Sequence, residues 1–260
     1  MASVDEILQT LKTRSFGRKL YLFERLESTN SAADELARDG APEGTVVVAE
    51  EQTLGRGRLG RRWLSEPKTG LYFSVILRPS IPPREAPVLS LAAAVALHQA
   101  MESLCGLKPD IKWPNDVLIR NRKCAGILLE MSSESDELKH LVLGIGVNVG
   151  QDRFPLELEG RATSLFLESG HLFAKESVMQ SILESLEPLY DRFLSQGSCA
   201  ILDSWIKRSS FAQGRRVVVE LNGIRRSGVT WGVTGEGALQ VKLETGGTEE
   251  FLSGDVVNWE

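Results

Sequence analysis

Residues 110–150 read DIKWPNDVLIRNRKCAGILLEMSSESDELKHLVLGIGVNVG. Four apolar runs, DIKW, DVLIRN, KCAGILLEMS and HLVLGIGVNV, follow one another at short intervals with turn-forming residues between them. That spacing predicts consecutive, mostly antiparallel strands, and therefore α+β order with a mixed sheet in place of a repeated βαβ unit. Glycine weakens a strand unless something approaches closely. Gly126 in the third run, and Gly144 and Gly146 in the fourth, therefore mark places where a ligand or another backbone comes near. Asn148 closes the fourth run and needs partners if buried, which a ligand amide or hydroxyl would supply.

Upstream, LYLFERL at 20–26 and TVVVAEE at 45–51 read as strands, and LYFSVILRP at 71–79 as a third closed by proline. Ser28, Thr29 and Asn30 form a natural N-cap for a helix running to about Gly40. Residues 3–12 read as a short amphipathic helix. REAPVLSLAAAVALHQAMESL, at 84–104, is apolar around most of its circumference after Pro87, as suits a helix packed on a sheet. Downstream, residues 175–208 return to helical periodicity. After Gly214 five short runs are separated by NG, GEG, TGG and SGD turns, which predicts a small β-barrel. The expected organisation is a large α+β domain over 1–213 and a small β domain over 214–260, without a low-complexity linker.

With 42% hydrophobic and 25% charged residues in 260, the chain can bury a large core, which sets aside disordered and fibrous classes. A net charge of −5 opposes a protein whose main task is coating nucleic acid, since that requires a basic face. The opening MASVDEILQTLK carries acids where a signal peptide carries bases, and no uninterrupted apolar stretch reaches membrane-spanning length; the expectation is a cytoplasmic protein with no membrane partner. Cys105, Cys124 and Cys199 lack metal or disulfide spacing, and His98, His140 and His171 form no HExxH or HxH pair. No metal site and no His-based triad is expected.

Gly55-Arg56-Gly57-Arg58-Leu59-Gly60 matches GxGxxG by letter and follows a strand. A dinucleotide fingerprint must open a helix, however, and here RRWLSEPKTG runs into the next strand instead. What remains is a glycine-rich loop carrying Arg56, Arg58, Arg61 and Arg62. It reads either as a solvated basic turn or as an anion-binding loop in which backbone donors and fixed cations meet. Repulsion between four guanidinium groups leaves such a loop without a preferred conformation until an anion arrives. Lys112-Trp113-Pro114-Asn115-Asp116 is a proline-fixed turn between strands whose neighbours project from the sheet. Lys123 follows at the start of a strand, where an isolated lysine is ordinarily just solvent-exposed.

Six segments in order carry a resemblance: STN at 28–30, EEQTLGRGRLGRRW at 50–63, KWPNDV at 112–117, KCAGILLE at 123–130, GIGVNV at 144–149 and FLSGDV at 251–256. Together the set resembles the biotin–protein ligase family over about residues 20–260. The resemblance implies a catalytic domain related to class II aminoacyl-tRNA synthetases and lipoate ligases, followed by an SH3-like domain. It implies biotin and ATP as substrates, magnesium as activator, and a biotin carboxyl carrier protein, of acetyl-CoA carboxylase or a related enzyme, as acceptor. With fewer than 20 residues before the catalytic domain, the chain resembles the ligase-only class rather than relatives with an N-terminal DNA-binding domain.

By similarity, Arg58 and Lys123 lie near the carboxylate and α-phosphate, and Arg56 and Gly57 complete the loop over biotin. Ser28, Thr29, Asn30 and Gln52 surround the biotin rings, beside Gly126. Arg61, Trp63, Lys112, Asn115 and Asn148 lie near the nucleotide. Asp116 either orients the incoming lysine or helps organise magnesium. Arg62 stands where relatives often carry lysine. A lipoate–protein ligase is the nearest rival, and a biotin-responsive regulator without enzymatic activity is the rival of another class. Edge strands in relatives suggest a homodimer.

Overall fold

The computed structural model describes residues 9–134 and 137–259. The helix expected at 3–12 falls largely outside the described residues. The first sheet contains β1 (Leu20–Leu26), β2 (Val46–Gln52), β3 (Gly70–Leu77), β4 (Asp110–Lys112), β5 (Asp116–Ile119), β6 (Arg122–Glu134) and β7 (Glu137–Asn148). Their order is β1-β2-β3-β7-β6-β5-β4; β1 and β2 are parallel and the other neighbours antiparallel. The expected α+β architecture with a mixed, mostly antiparallel sheet is what forms.

Alternation along the strands divides the core in two. Val46, Val48, Leu71, Phe73, Val75, Leu143, Ile145 and Val147 join the main core under helix α2 (Pro87–Cys105), while Val47, Ile76 and Val142 pack with Ala33 and Ala37 of helix α1 (Thr29–Arg38). Pro87 is placed at the start of α2 and left-handed Gly106 ends it, as the sequence requires of a helix between these two residues. Helix α2 is long and apolar enough to cross a membrane, but eleven of its residues are buried inside the fold, so it is a core helix. The helical region after 175 is two helices, α4 (Lys175–Gln196) and α5 (Cys199–Ile206), parted at Gly197; the short α3 (Leu165–Ser169) precedes them. Ser28 does occupy the N-cap of α1, but its side chain makes no capping bond, and the Thr29 and Asn30 side chains are engaged elsewhere.

The C-terminal strands are β8 (Arg216–Leu221), β9 (Ile224–Val233), β10 (Leu239–Leu243), β11 (Thr248–Phe251) and β12 (Asp255–Trp259), in the order β11-β10-β9-β8-β12. All five expected runs are strands. Because β11 and β12 stand at opposite edges, the pairings make an SH3-like antiparallel sheet and none closes a barrel. This sheet shares the main core: Val217, Val219, Leu239 and Val241 belong to the same buried cluster as Val88 and Leu91. Trp113 Nε1 donates to Gly237 O at 3.0 Å, and a Cβ on Gly237 would lie 3.1 Å from Leu91 Cδ1. Trp259 meets Phe211 edge to face with centroids 5.5 Å apart.

On the far side of the helical layer, the buried carboxylate of Glu187 in α4 accepts from the backbone N–H groups of Arg14, Ser15 and Phe16 at 2.7, 2.7 and 2.9 Å, and from Ser15 Oγ at 2.9 Å. Burial acts to raise this carboxyl, but the four hydrogen bonds outweigh it and hold it below the ordinary glutamate value. Its stabilising contribution is therefore complete above about pH 4.3, the unfolded value, and is lost as the pH falls through the lower folded one. Glu187→Gln is expected to cost about 1–3 kcal/mol at pH 7. In urea titrations at stepped pH the gap between variant and wild type should close only on the acid side of that window.

Candidate active site

Helix α1 covers only part of its face of the sheet, and beyond its N-terminus a cavity of about 640 Å³ remains. The even-numbered residues of β3, β6 and β7 line it or stand beside it: Ser74, Gly126, Leu128, Gly144, Gly146 and Asn148. Gly126 and Gly146 are cross-strand partners. A Cβ on either would sit 2.8 or 2.6 Å from the Trp63 indole, and one on Gly144 would sit 2.1 Å from Asn30 Oδ1. The strand glycines thus mark close approaches, as the sequence suggests, but what approaches is the Trp63 and Asn30 side chains.

One end of the cavity is polar and uncharged. The Thr29 backbone N–H and hydroxyl reach Gln52 Oε1 at 2.8 and 3.1 Å, and Gln52 Nε2 donates to Ser65 Oγ at 2.9 Å. Ser74 Oγ donates to Asn30 Oδ1 at 2.6 Å, while Asn30 Nδ2 donates to Glu130 Oε2 at 2.7 Å. Ser28, Thr29 and Asn30 are all buried. Amides and hydroxyls fixed in this way suit a neutral polar group with both donors and acceptors.

The other end is charged. Asp116, at the exit of the KWPND turn, is mostly buried, its Oδ1 wholly so, with Lys123 Nζ 2.5 Å from Oδ1 and Lys112 Nζ 3.6 Å from Oδ2. Burial would raise its carboxyl, but Lys123 and Lys112 hold it below the usual carboxylate range. Lys112 is itself lowered, mainly by burial and against the pull of Asp116, and its Nζ lies 4.4 Å from the Trp259 ring centroid. Lys123 Nζ is 5.2 Å from the Trp63 ring. Asn115 and Asn148 face this end, yet their amides serve the backbone: Asn115 Nδ2 donates to Ile127 O at 2.6 Å and Asn148 Nδ2 to Thr163 O at 2.9 Å. Asn148 therefore finds its partners in the protein itself.

The arginine loop closes one side. Arg56 pairs with Arg62 across a narrow turn, Gly57 N–H donates to Arg61 O at 2.7 Å, and residues 58–60 form a single 3₁₀ turn in which Leu59 has φ 54°. No α-helix follows the loop before β3, so the dinucleotide reading fails in the structure as it does in sequence. Each guanidinium has a partner: Glu130 for Arg56 at 2.8 Å, Gly254 O and Asp255 for Arg58 at 3.1 and 3.4 Å, Thr53 O for Arg62 at 3.1 Å and, for Arg61, an ion pair with Asp255 at 2.6 Å. The expectation that like charges leave the loop without a preferred conformation omitted these partners. Burial lowers the Arg58 pKa against the pull of Asp255 and Asp116. Among the described residues no group of three or more His, Cys, Asp or Glu converges as a metal site would.

Every candidate residue taken from the sequence borders this cavity. Asp255, Trp259, Glu130, Ser65 and Ser74 had no role assigned to them. FLSGDV contained the signal for Asp255, and period-two alternation from Gly126 through Leu128 reaches Glu130.

Lys123 is a third exposed but tied to a buried carboxylate, so it is not the plain surface lysine its strand position suggests. Lys123→Ala is expected to cost about 2–4 kcal/mol in urea unfolding, because Asp116 keeps Lys112 alone as an ammonium neighbour. Adding Asp116→Asn should recover much of that loss. A Lys123→Ala protein as stable as wild type would show that the carboxylate does not depend on this pair.

Residues 22–148 match the model of the biotin/lipoate A/B protein ligase family. The chain is 40% identical over 258 residues to the bifunctional ligase/repressor BirA of Bacillus spizizenii, covering 98% of itself and 78% of that protein. It is 33% identical to the biotin–[acetyl-CoA-carboxylase] ligase of Paracoccus denitrificans, covering 86% of itself and 95% of the relative. The Aquifex aeolicus biotin protein ligase, solved with biotin and ATP, superposes with a TM-score of 0.78 at 29% identity over 94% of this chain and 99% of that one. With this sequence identity spread over nearly its whole length, the chain belongs to the biotin protein ligase family.

Proposed function

We infer that the protein joins biotin to ATP as biotinyl-5′-AMP and then transfers the biotinyl group to a lysine of a carrier protein. The biotin carboxylate attacks the α-phosphorus and pyrophosphate leaves. The carrier amine then attacks the anhydride carbonyl and AMP leaves. The observation that carries this reading is the charge arrangement of one continuous cavity. A neutral polar end adjoins an end where Lys112, Lys123, Arg58 and Arg61 share the carboxylates of Asp116 and Asp255, leaving two positive charges in excess. Two anions must be brought together there, and preorganised cations supply most of what the reaction needs.

In this reading Ser28, Thr29, Asn30 and Gln52 receive the ureido ring, with Gly126 below and Arg56 and Gly57 closing over it. Arg58 and Lys123 face the carboxylate and α-phosphate. Arg61, Trp63, Lys112, Asn115 and Asn148 border the nucleotide. Asp116, held in its charged form by two ammonium groups, is a weak base, so it orients Lys123 and Lys112 rather than taking the proton of the incoming amine. Magnesium fits as an ion carried by the triphosphate, which spreads phosphate charge while keeping phosphate and water ligands; Asp116 and Asp255 are carboxylates within the cavity wall from which it would take protein oxygen. Residues 1–213 form the catalytic domain and 214–260 the SH3-like one. The acceptor is a biotin carboxyl carrier domain. Past Ile127, β6 runs beyond β5 and its outer edge has no strand partner among the described residues, an edge suited to a second copy of the chain.

Biotin-dependent exchange of pyrophosphate into ATP, followed by labelling of a carrier domain, tests the reading. Exchange with lipoate in place of biotin, or with neither acid, would overturn it. Lys123→Ala is expected to lower the exchange rate of folded enzyme roughly 30- to 1000-fold, corresponding to about 2–4 kcal/mol. Arg58→Gly should form adenylate but release it, so that bystander lysines become labelled where wild type labels the carrier alone. Retention by the variant equal to that of wild type would remove Arg58 from this role.

A further inference from the structure

Glu130 takes no part in the chemistry derived above, yet it joins the neutral pocket to the arginine loop. Its Oε2 accepts from Asn30 Nδ2 at 2.7 Å and from Arg56 Nη2 at 2.8 Å. The Asn30 end is rigid. Its second Nδ2 bond runs to Leu128 O at 3.2 Å, its Oδ1 accepts from Ser74, and Gly144 provides the space that Oδ1 fills. The far end of the loop returns to the same motif by a second route, because Thr29 donates to Gln52, Gln52 to Ser65 and Ser65 Oγ to Trp63 O at 3.2 Å. Both ends of the loop are therefore wired to the first turn of α1.

We propose that Glu130 is a positioning residue that couples occupancy of the Ser28–Asn30 pocket to closure of the arginine loop. A ligand that holds Asn30 in this orientation also holds the acceptor Arg56 needs, and by linkage a closed loop favours the ligand by the same factor. The inference rests on the reading of that pocket as the biotin ring site. Arg56 and Glu130 are 44% and 38% exposed, so solvent screens the pair and the coupling is moderate, about 2- to 5-fold.

The test measures biotin dissociation and the KM and kcat of pyrophosphate exchange in wild type, Glu130→Gln, Arg56→Met and the double variant. The amide keeps an acceptor for Asn30 but removes the charge that holds Arg56. Glu130→Gln should release biotin about 2- to 5-fold faster and raise KM for biotin by a similar factor, with a smaller change in kcat. In the Arg56→Met background it should add little. A wild-type dissociation rate in Glu130→Gln overturns the coupling, as does an equal increment in both backgrounds, which would make Glu130 act through Asn30 alone. Failure of wild type to bind biotin would overturn the ring-site reading along with it.

Discussion

A strand must place successive side chains on opposite sides of its sheet, and the site of this protein is a consequence of that constraint. In β3 and β7, Leu71, Phe73, Leu143, Ile145 and Val147 fill the core beneath α2. The alternate positions, Ser74, Gly144, Gly146 and Asn148, are left for the other face. Helix α1 seals that face only where Val47, Ile76 and Val142 offer it aliphatic surface. Where the same rows change to serine, glycine and asparagine, α1 reaches only Ser74 and Gly144 with its first turn, and beyond that turn a cavity opens. The apolar half of each strand fixes the register, and the register delivers the polar half to the site without further instruction.

Holding four cations around one cavity end is costly unless each has a partner, and the fold supplies partners sparingly. Asp116 serves two lysines and Asp255 two arginines. Full pairing would neutralise the site, and no pairing would scatter the side chains. One carboxylate for two cations keeps the geometry while leaving positive potential for an anionic ligand. Trp259 adds a ring against Lys112, a partner that orients an ammonium without cancelling its charge.

Much of this was legible in the sequence. The strands at 20–26 and 46–52, the core helix after Pro87 and the five C-terminal runs emerge where composition and turn residues place them, because each is set by local periodicity. The failure of GxGxxG as a nucleotide fingerprint was legible too, since Pro67 and Gly70 follow it closely. Relations between distant segments were not. Nothing local in GRGRLGRR announces that Asp255, nearly two hundred residues later, pairs with two of its arginines. Lys123 looked like a surface lysine because strand position says nothing of a buried carboxylate across the hairpin. Turn spacing predicts strands but not which of them pair: β12 joins β8, β11 and β12 are left at opposite edges, and the C-terminal sheet is open where a barrel was expected.

The ion pairs of Asp255 tie the C-terminal sheet to the charged end of the cavity in a way that an appended module would not be. Its strand β12 also carries Trp259, and its neighbour β8 shares the core of α2 through Val217 and Val219. The Gly237 turn accepts the Trp113 N–H, one residue from Lys112 and three from Asp116. The charged end of the cavity is thus assembled from four directions: the arginine loop, the KWPND turn, the start of β6 and the last strand of the chain. Because the buried surface that docks the C-terminal sheet lies directly behind those charges, the sheet cannot shift without moving Asp255 and Trp259 relative to Arg58 and Lys112. Packing, not a separate latch, sets the spacing of the anions and cations at this end of the cavity.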